Sequence, residues 1–95
     1  MKVVLNIAFN DTVQEYIMTV GHEVTFGRSS KADLTFDDVK CSGKHCKLKL
    51  HPKKLEVHDM ESKNGTFLNG IRIESSQVFI GDEVTIGNVI VTLNE

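Results

Sequence analysis

Turn-forming pairs recur along this chain: Asn10-Asp11, Gly21-His22, Asn64-Gly65, Asn69-Gly70, Gly81-Asp82 and Gly87-Asn88. Such pairs tolerate the positive φ that tight turns require. Between them the apolar residues recur at every second position, and no longer window keeps a 3.6-residue period. Val3, Leu5, Ile7 and Phe9 share one side of a first strand, and Tyr16, Met18 and Val20 alternate along a second that forms a hairpin with it. Further strands are expected at Val24 to Gly27, Leu34 to Phe36, His45 to Leu50, Leu55 to Asp59, Thr66 to Leu68, Ile71 to Ile73 and Gln77 to Ile80. A last hairpin, Glu83 to Ile86 and Val89 to Leu93, turns at Gly87-Asn88 through a connection of the primed type. Asp37 to Lys44 fits neither period, alternates in charge and reads as an exposed loop. About ten or eleven short strands at this spacing predict an all-β fold, a two-sheet β-sandwich.

Residues 1–95 suffice for a single domain that buries roughly two-thirds of its unfolded surface without disulfides or metals. A net charge of −2 argues against a general nucleic-acid binder, so any basic site must be local. The opening residues MKVVLNIAF contain no signal-peptide h-region and no membrane span, so a cytoplasmic protein with no membrane partner is expected. In that compartment Cys41 and Cys46 are expected to be reduced and packed. The Asn10-Asp11-Thr12 and Asn64-Gly65-Thr66 sequons are then chance matches.

The polar residues that could carry a function fall in three loops: Gly27-Arg28, Ser42-x-x-His45, and Ser62-Lys63-Asn64-Gly65 with Asn69-Gly70 behind it. Arg28 offers a permanently charged fork that suits an oxyanion, or it is a solvated strand-end arginine. The Ser42 hydroxyl can donate to an anion, and the backbone N–H groups of its loop, Gly43 included, can form an anion nest; a simple turn serine is the other reading. His45 stands at a strand start where its two ring nitrogens could tie neighbouring loops together. Asn64 both donates and accepts, which suits the backbone of an extended peptide. Lys63 and Ser62 could reach the same anion, although Lys63 reads equally as a solvated charge and Ser62 as the cap of its own turn. Gly65 and Gly70 are explained by backbone conformation, and Asp59 is placed to receive loop hydrogen bonds. Asn69 either braces the loop from behind or contacts peptide backbone.

Gly-Arg, Ser-x-x-His, Asp-x-x-Ser-x-Asn-Gly and Asn-Gly, in this order and spacing from roughly Val24 to Leu93, resemble the forkhead-associated (FHA) domain. The resemblance implies a β-sandwich module with its binding loops at one end, which docks Thr-phosphorylated proteins or peptides prepared by an upstream Ser/Thr kinase, with no catalytic residues, no cofactor and no metal. It implies Arg28, Ser42, Gly43, Ser62 and Lys63 around the phosphate, Asn64 and Asn69 on the peptide backbone, and Gly27, His45, Asp59, Gly65 and Gly70 as loop scaffold. It also implies a preference for phosphothreonine over phosphoserine. One departure stands out: the position after the loop serine often carries a basic or polar side chain in the family, and here it is Gly43.

Other readings compete. Ser42, His45 and Asp59 have the residue types of a hydrolytic triad, but no nucleophile elbow accompanies them and a sandwich of this size leaves little room for a substrate cleft. Cys41, His45, Cys46 and His58 are zinc-ligand types without the usual paired spacing. A sandwich that binds partners through a sheet face, independently of phosphate, would keep the fold but have no use for Arg28, Ser42 and Asn64 together.

Overall fold

The computed structural model describes residues 2–95. Eleven strands follow in order: β1 (Lys2–Phe9), β2 (Thr12–Thr19), β3 (Glu23–Gly27), β4 (Leu34–Thr35), β5 (Cys46–Leu50), β6 (Leu55–Asp59), β7 (Thr66–Leu68), β8 (Ile71–Ile73), β9 (Ser75–Val78), β10 (Glu83–Ile86) and β11 (Val89–Asn94). They form a six-stranded sheet in the order β2-β1-β11-β10-β7-β8 and a five-stranded sheet in the order β4-β3-β5-β6-β9. All pairings are antiparallel except β3 with β4.

Period-two alternation sets which side chains meet between the sheets. Val3, Leu5 and Ile7 of β1 and Val89, Val91 and Leu93 of β11 point in from one sheet, against Val24, Phe26, Cys46, Leu48, Leu50, Leu55 and Val57 from the other. Burying a Val, Leu, Ile or Phe side chain is worth about 1.5–3 kcal/mol, so this face outweighs any single loop in stability. Phe36 closes one end of the sandwich. Its ring stacks parallel to Phe26 at 6.3 Å and meets Phe9 edge-on at 5.6 Å, which anchors the chain where the β4–β5 loop departs.

The turn pairs behave as their residues require. Asn10 and Asp11 (φ 49° and 62°) join β1 to β2, and Asn69 and Gly70 (φ 50° and 84°) join β7 to β8, both as two-residue connections with positive φ throughout. Gly87 at φ 56° opens the β10–β11 hairpin.

Three local expectations need correction. The strand expected at Gln77 to Ile80 runs instead from Ser75 to Val78. Phe79 turns out of the ladder because its N–H donates to Asp82 Oδ2, 2.8 Å away, and both Phe79 and Ile80 are exposed. Val20 lies outside β2 and is exposed, the chain having turned so that Gly21 N–H meets Leu50 O at 2.8 Å. The segment from Asp37 to Lys44 is irregular, but Asp38 and Cys41 within it are buried. Their placement organises the site described next.

Candidate functional site

The β3–β4, β4–β5 and β6–β7 loops share one end of the sandwich and are fastened to one another by backbone and side-chain hydrogen bonds. Arg28 N–H donates to Ser42 O and Ser29 N–H to Gly43 O, each at 2.9 Å, so the first two loops run zipped together. Gly27 makes that approach possible. A Cβ on it would lie 2.0 Å from Gly43 O, well inside contact distance. Arg28 therefore leaves β3 from a fixed backbone with an exposed side chain.

His45 is fully buried at the root of the second loop. Its Nδ1 accepts from Ser42 N–H at 3.0 Å, which leaves the ring proton on Nε2 to donate to Gly65 O at 2.7 Å. Its backbone N–H bonds Phe26 O and its carbonyl accepts from Met60 N–H. One imidazole thus joins the second and third loops. Ser42 Oγ accepts Lys63 N–H at 3.0 Å, which leaves the hydroxyl hydrogen to donate elsewhere. Asn64 Nδ2 donates to Lys40 O at 2.9 Å, and the residue is exposed.

Asp59 and Ser62 build the third loop from within. Ser62 Oγ donates to Asp59 Oδ1 and accepts Gly65 N–H at 2.9 Å, so both functions of this buried hydroxyl are taken up by its own turn. Asp59 also receives Ser62 N–H at 3.1 Å and the Thr66 hydroxyl at 2.7 Å. Partial burial works to raise the Asp59 pKa, but these bonds, with His45 adding to them, outweigh it and hold the carboxyl below its ordinary value. Gly65 sits at φ 93°, a conformation that favours glycine.

Two of the residues singled out from sequence differ in placement. Asn69 is not brought to this cluster: its N–H bonds Glu83 O, its Nδ2 donates to Asp82 Oδ1 at 3.1 Å, and its Oδ1 accepts Glu83 N–H at 3.0 Å. These bonds tie it, with Gly70, to the far end of β7. Gly43 does lie in the cluster, exposed and outside the left-handed region, and a Cβ there would meet only Ser29 Cβ at 3.6 Å. Its place beside Ser42 is open to a side chain.

Asp38 is the residue that sequence reasoning missed. Its carboxylate accepts Lys40 N–H at 3.0 Å and, across the sandwich, Asn88 N–H at 2.7 Å and Asn88 Nδ2 at 3.2 Å. Burial works against ionisation, and these donors overcome it to leave the pKa lowered. The Asp38-to-Lys40 bond is a local Asx turn, the one signal that the sequence carried; the bonds to Asn88 are long-range and had none. Cys41 packs beside it, its thiol against Asp38 and Ile86 O. Burial first, then the Asp38 charge, push the Cys41 pKa up to about 12, and burial likewise raises that of Cys46 in the core. Both thiols are buried, and among the described residues no three His, Cys, Asp or Glu side chains gather as a metal site would need. The triad geometry is not assembled either, since His45 takes the Ser42 backbone N–H and not its hydroxyl, and Asp59 is engaged by Ser62 and Thr66.

The electrostatics of this end follow from where the carboxylates point. Asp38 is buried and Asp59 half-buried, both engaged by loop donors, and Asp33 is held by the Thr25 N–H and hydroxyl, while Asp37 and Glu61 are exposed. Arg28, Lys31, Lys40, Lys44 and Lys63 are exposed, and among the described residues none of them has a carboxylate within 4.0 Å. A cluster of exposed cations beside a free hydroxyl hydrogen and a carboxamide oxygen can bind an anion carried on a peptide.

A sandwich of two sheets with its polar loops gathered at one end is the architecture of this protein. The FHA domain family model matches residues 24–87, and the chain belongs to that family. An ABC transporter ATP-binding/permease protein of Mycobacterium tuberculosis is 39% identical over 66 residues, 70% of this chain and 8% of that protein. The glycogen accumulation regulator GarA of Mycolicibacterium smegmatis is 38% identical over 61 residues, 64% of this chain and 39% of its own. The chain thus spans well under half the length of these relatives. A solved structure from work on phosphothreonine-dependent FHA domain interactions superposes with a TM-score of 0.89, over 100% of this chain and 97% of that one. At 21% identity that likeness speaks for the fold.

Proposed function

We propose that residues 1–95 act as one phosphothreonine-dependent docking module, which captures a segment of a partner protein after an upstream Ser/Thr kinase has modified it. The observation that carries this reading is the convergence of Arg28, Ser42 and Lys63 on one loop cluster, with no carboxylate within 4.0 Å of either cation among the described residues. A phosphothreonine brings about −1.5 to −2 charge and three acceptor oxygens. Arg28 supplies two parallel donors to it, Ser42 its hydroxyl hydrogen, Gly43 a backbone N–H and Lys63 a mobile ammonium. Asn64, already tethered to Lys40 O, presents its remaining carboxamide groups to the backbone beside the phosphoresidue. His45, Asp59, Ser62 and Gly65 hold these groups in register.

Calorimetric titration with matched peptides tests it. The phosphothreonine form is expected to bind and the unmodified form not to, and Arg28→Ala is expected to lose about 2–5 kcal/mol, as when one partner of a desolvated charge pair is removed. Replacing phosphothreonine by phosphoserine removes a single methyl, worth about 0.8 kcal/mol if buried. Equal affinity of wild type and Arg28→Ala for the phosphopeptide would overturn the assignment.

A further inference from the structure

We propose that Arg72 is a specificity-determining residue of this peptide site, a fixed guanidinium that selects an anionic side chain flanking the phosphothreonine. The inference rests on the phosphothreonine reading above and extends it to a residue outside the three loops.

Arg72 lies on β8, an edge strand, where it pairs in register with Phe67 of β7. Its side chain does not wave free in solvent. It lies across Gly65, so closely that a Cβ on that residue would fall 2.6 Å from Arg72 Nε, 3.0 Å from Cζ and 3.1 Å from Cδ. Gly65 therefore answers two demands at once: a positive φ of 93° and a shelf for the guanidinium. The shelf is rigid, because the Gly65 carbonyl is held by His45 Nε2 and its N–H by Ser62 Oγ.

A guanidinium suits a carboxylate or phosphate bidentately, and among the described residues no carboxylate comes within 4.0 Å of Arg72. Asp59, in the same loop system, spends its oxygens on Ser62 and Thr66. Arg72 remains exposed. Asn64, the residue assigned to the peptide backbone, directly precedes Gly65, so a peptide held by Asn64 would run close to Arg72. A planar fork in that place matches a carboxylate or a phosphate, through two parallel hydrogen bonds. The protein as a whole carries a net charge of −2, so the preference comes from this local group and not from a general positive field.

The test is a flank scan on a phosphothreonine peptide, in which each residue around the phosphothreonine is set in turn to Ala, Asp, Glu, phosphoserine or Lys. Affinities are measured for wild type, Arg72→Gln, which keeps much of the side-chain stem, and Arg72→Glu. At one flanking position an acidic residue is expected to bind about two- to fivefold tighter than Ala in wild type, the strength of one exposed charge pair. The Asp, Glu and phosphoserine arms show whether a carboxylate or a second phosphate is the better fit. That ratio is expected to fall to about one in Arg72→Gln and to invert in favour of Lys in Arg72→Glu. A merely structural role would weaken every peptide alike and leave the ratio unchanged, and that result overturns the proposal. So does a wild-type profile with no acidic preference at any position, although phosphothreonine binding itself survives it. Failure of every phosphothreonine peptide to bind wild type overturns the docking function, and this inference with it.

Discussion

His45 and Gly43 are three and one residues from Ser42, and their chemistry differs by environment. His45 is fully buried with both ring nitrogens hydrogen-bonded, so truncation leaves the Ser42 N–H and Gly65 O without partners and opens a void. His45→Ala is expected to lose about 2–4 kcal/mol of stability, from unsatisfied buried groups and lost packing together. Urea unfolding checks this, and an unchanged midpoint with lost peptide affinity would instead put His45 in the binding surface. Gly43 is in the opposite situation. Its φ is outside the left-handed region and the space beyond it is open, so Gly43→Ala should change stability by less than about 0.5 kcal/mol. Gly43→Lys should then add a donor next to Ser42 and tighten phosphopeptide binding by about 1 kcal/mol at low salt, shrinking as salt rises. If both variants melt early, glycine serves the backbone there and the added donor explains nothing.

At the scale of the element, the β4–β5 loop keeps its shape although it has no regular hydrogen-bond ladder. Two side chains replace the ladder: His45 fastens the loop to the β6–β7 loop, and Asp38 fastens it to the β10–β11 turn. Gly87 is part of the second clamp, since a Cβ there would lie 2.6 Å from Asp38 Oδ2. In Asp38→Asn one acceptor oxygen becomes a donor that faces the Asn88 donors. The expected loss is about 1–3 kcal/mol of stability, the range for a buried group left unmatched. Because the same loop carries Ser42, phosphopeptide affinity should fall as well even though Asp38 touches no ligand. Comparing urea midpoints and titrations for Asp38→Asn and wild type decides it: affinity held at the wild-type level would mean that the loop keeps its form without the clamp.

For the whole molecule, the buried ionisable groups set a stability plateau with an edge on each side. The folded-state pKa values of Asp38 and Asp59 lie below the ordinary value of 3.8. Such groups contribute stability that is present above the unfolded pKa and is lost as pH falls through the folded one. Cys41 works from the other side: its pKa is raised from 9.0 to about 12, so its contribution is present below the unfolded value and is lost as pH rises through that interval. Urea midpoints should be level near neutrality, fall below about pH 4 and fall again above about pH 9. The acid edge should flatten in Asp59→Asn and the alkaline edge in Cys41→Ser. An acid edge of unchanged slope in Asp59→Asn would show that other carboxylates carry it.

Strand placement was legible because alternation and Asn-Gly or Gly-Asn pairs are local signals: the side-chain period of a strand is two, and positive φ selects few residue types. The order Gly27-Arg28, Ser42, His45, Asn64-Gly65 likewise identified the family, since each of those residues answers a local geometric or chemical need. Legibility ended where a residue's role depends on a partner distant in sequence. The Asn88 donors that turn Asp38 inward are 50 residues away, and nothing near Asn69 announces that its carboxamide goes to Asp82 and Glu83. Ser62 reads from sequence either as a phosphate contact or as the cap of its own turn, and only the fold shows Asp59 and Gly65 occupying its hydroxyl. Arg72 on its shelf is the same kind of fact. Gly65 was readable as a turn glycine from its neighbour Asn64, but the guanidinium that fills its missing Cβ arrives by strand pairing, and only the packed sheets bring the two together.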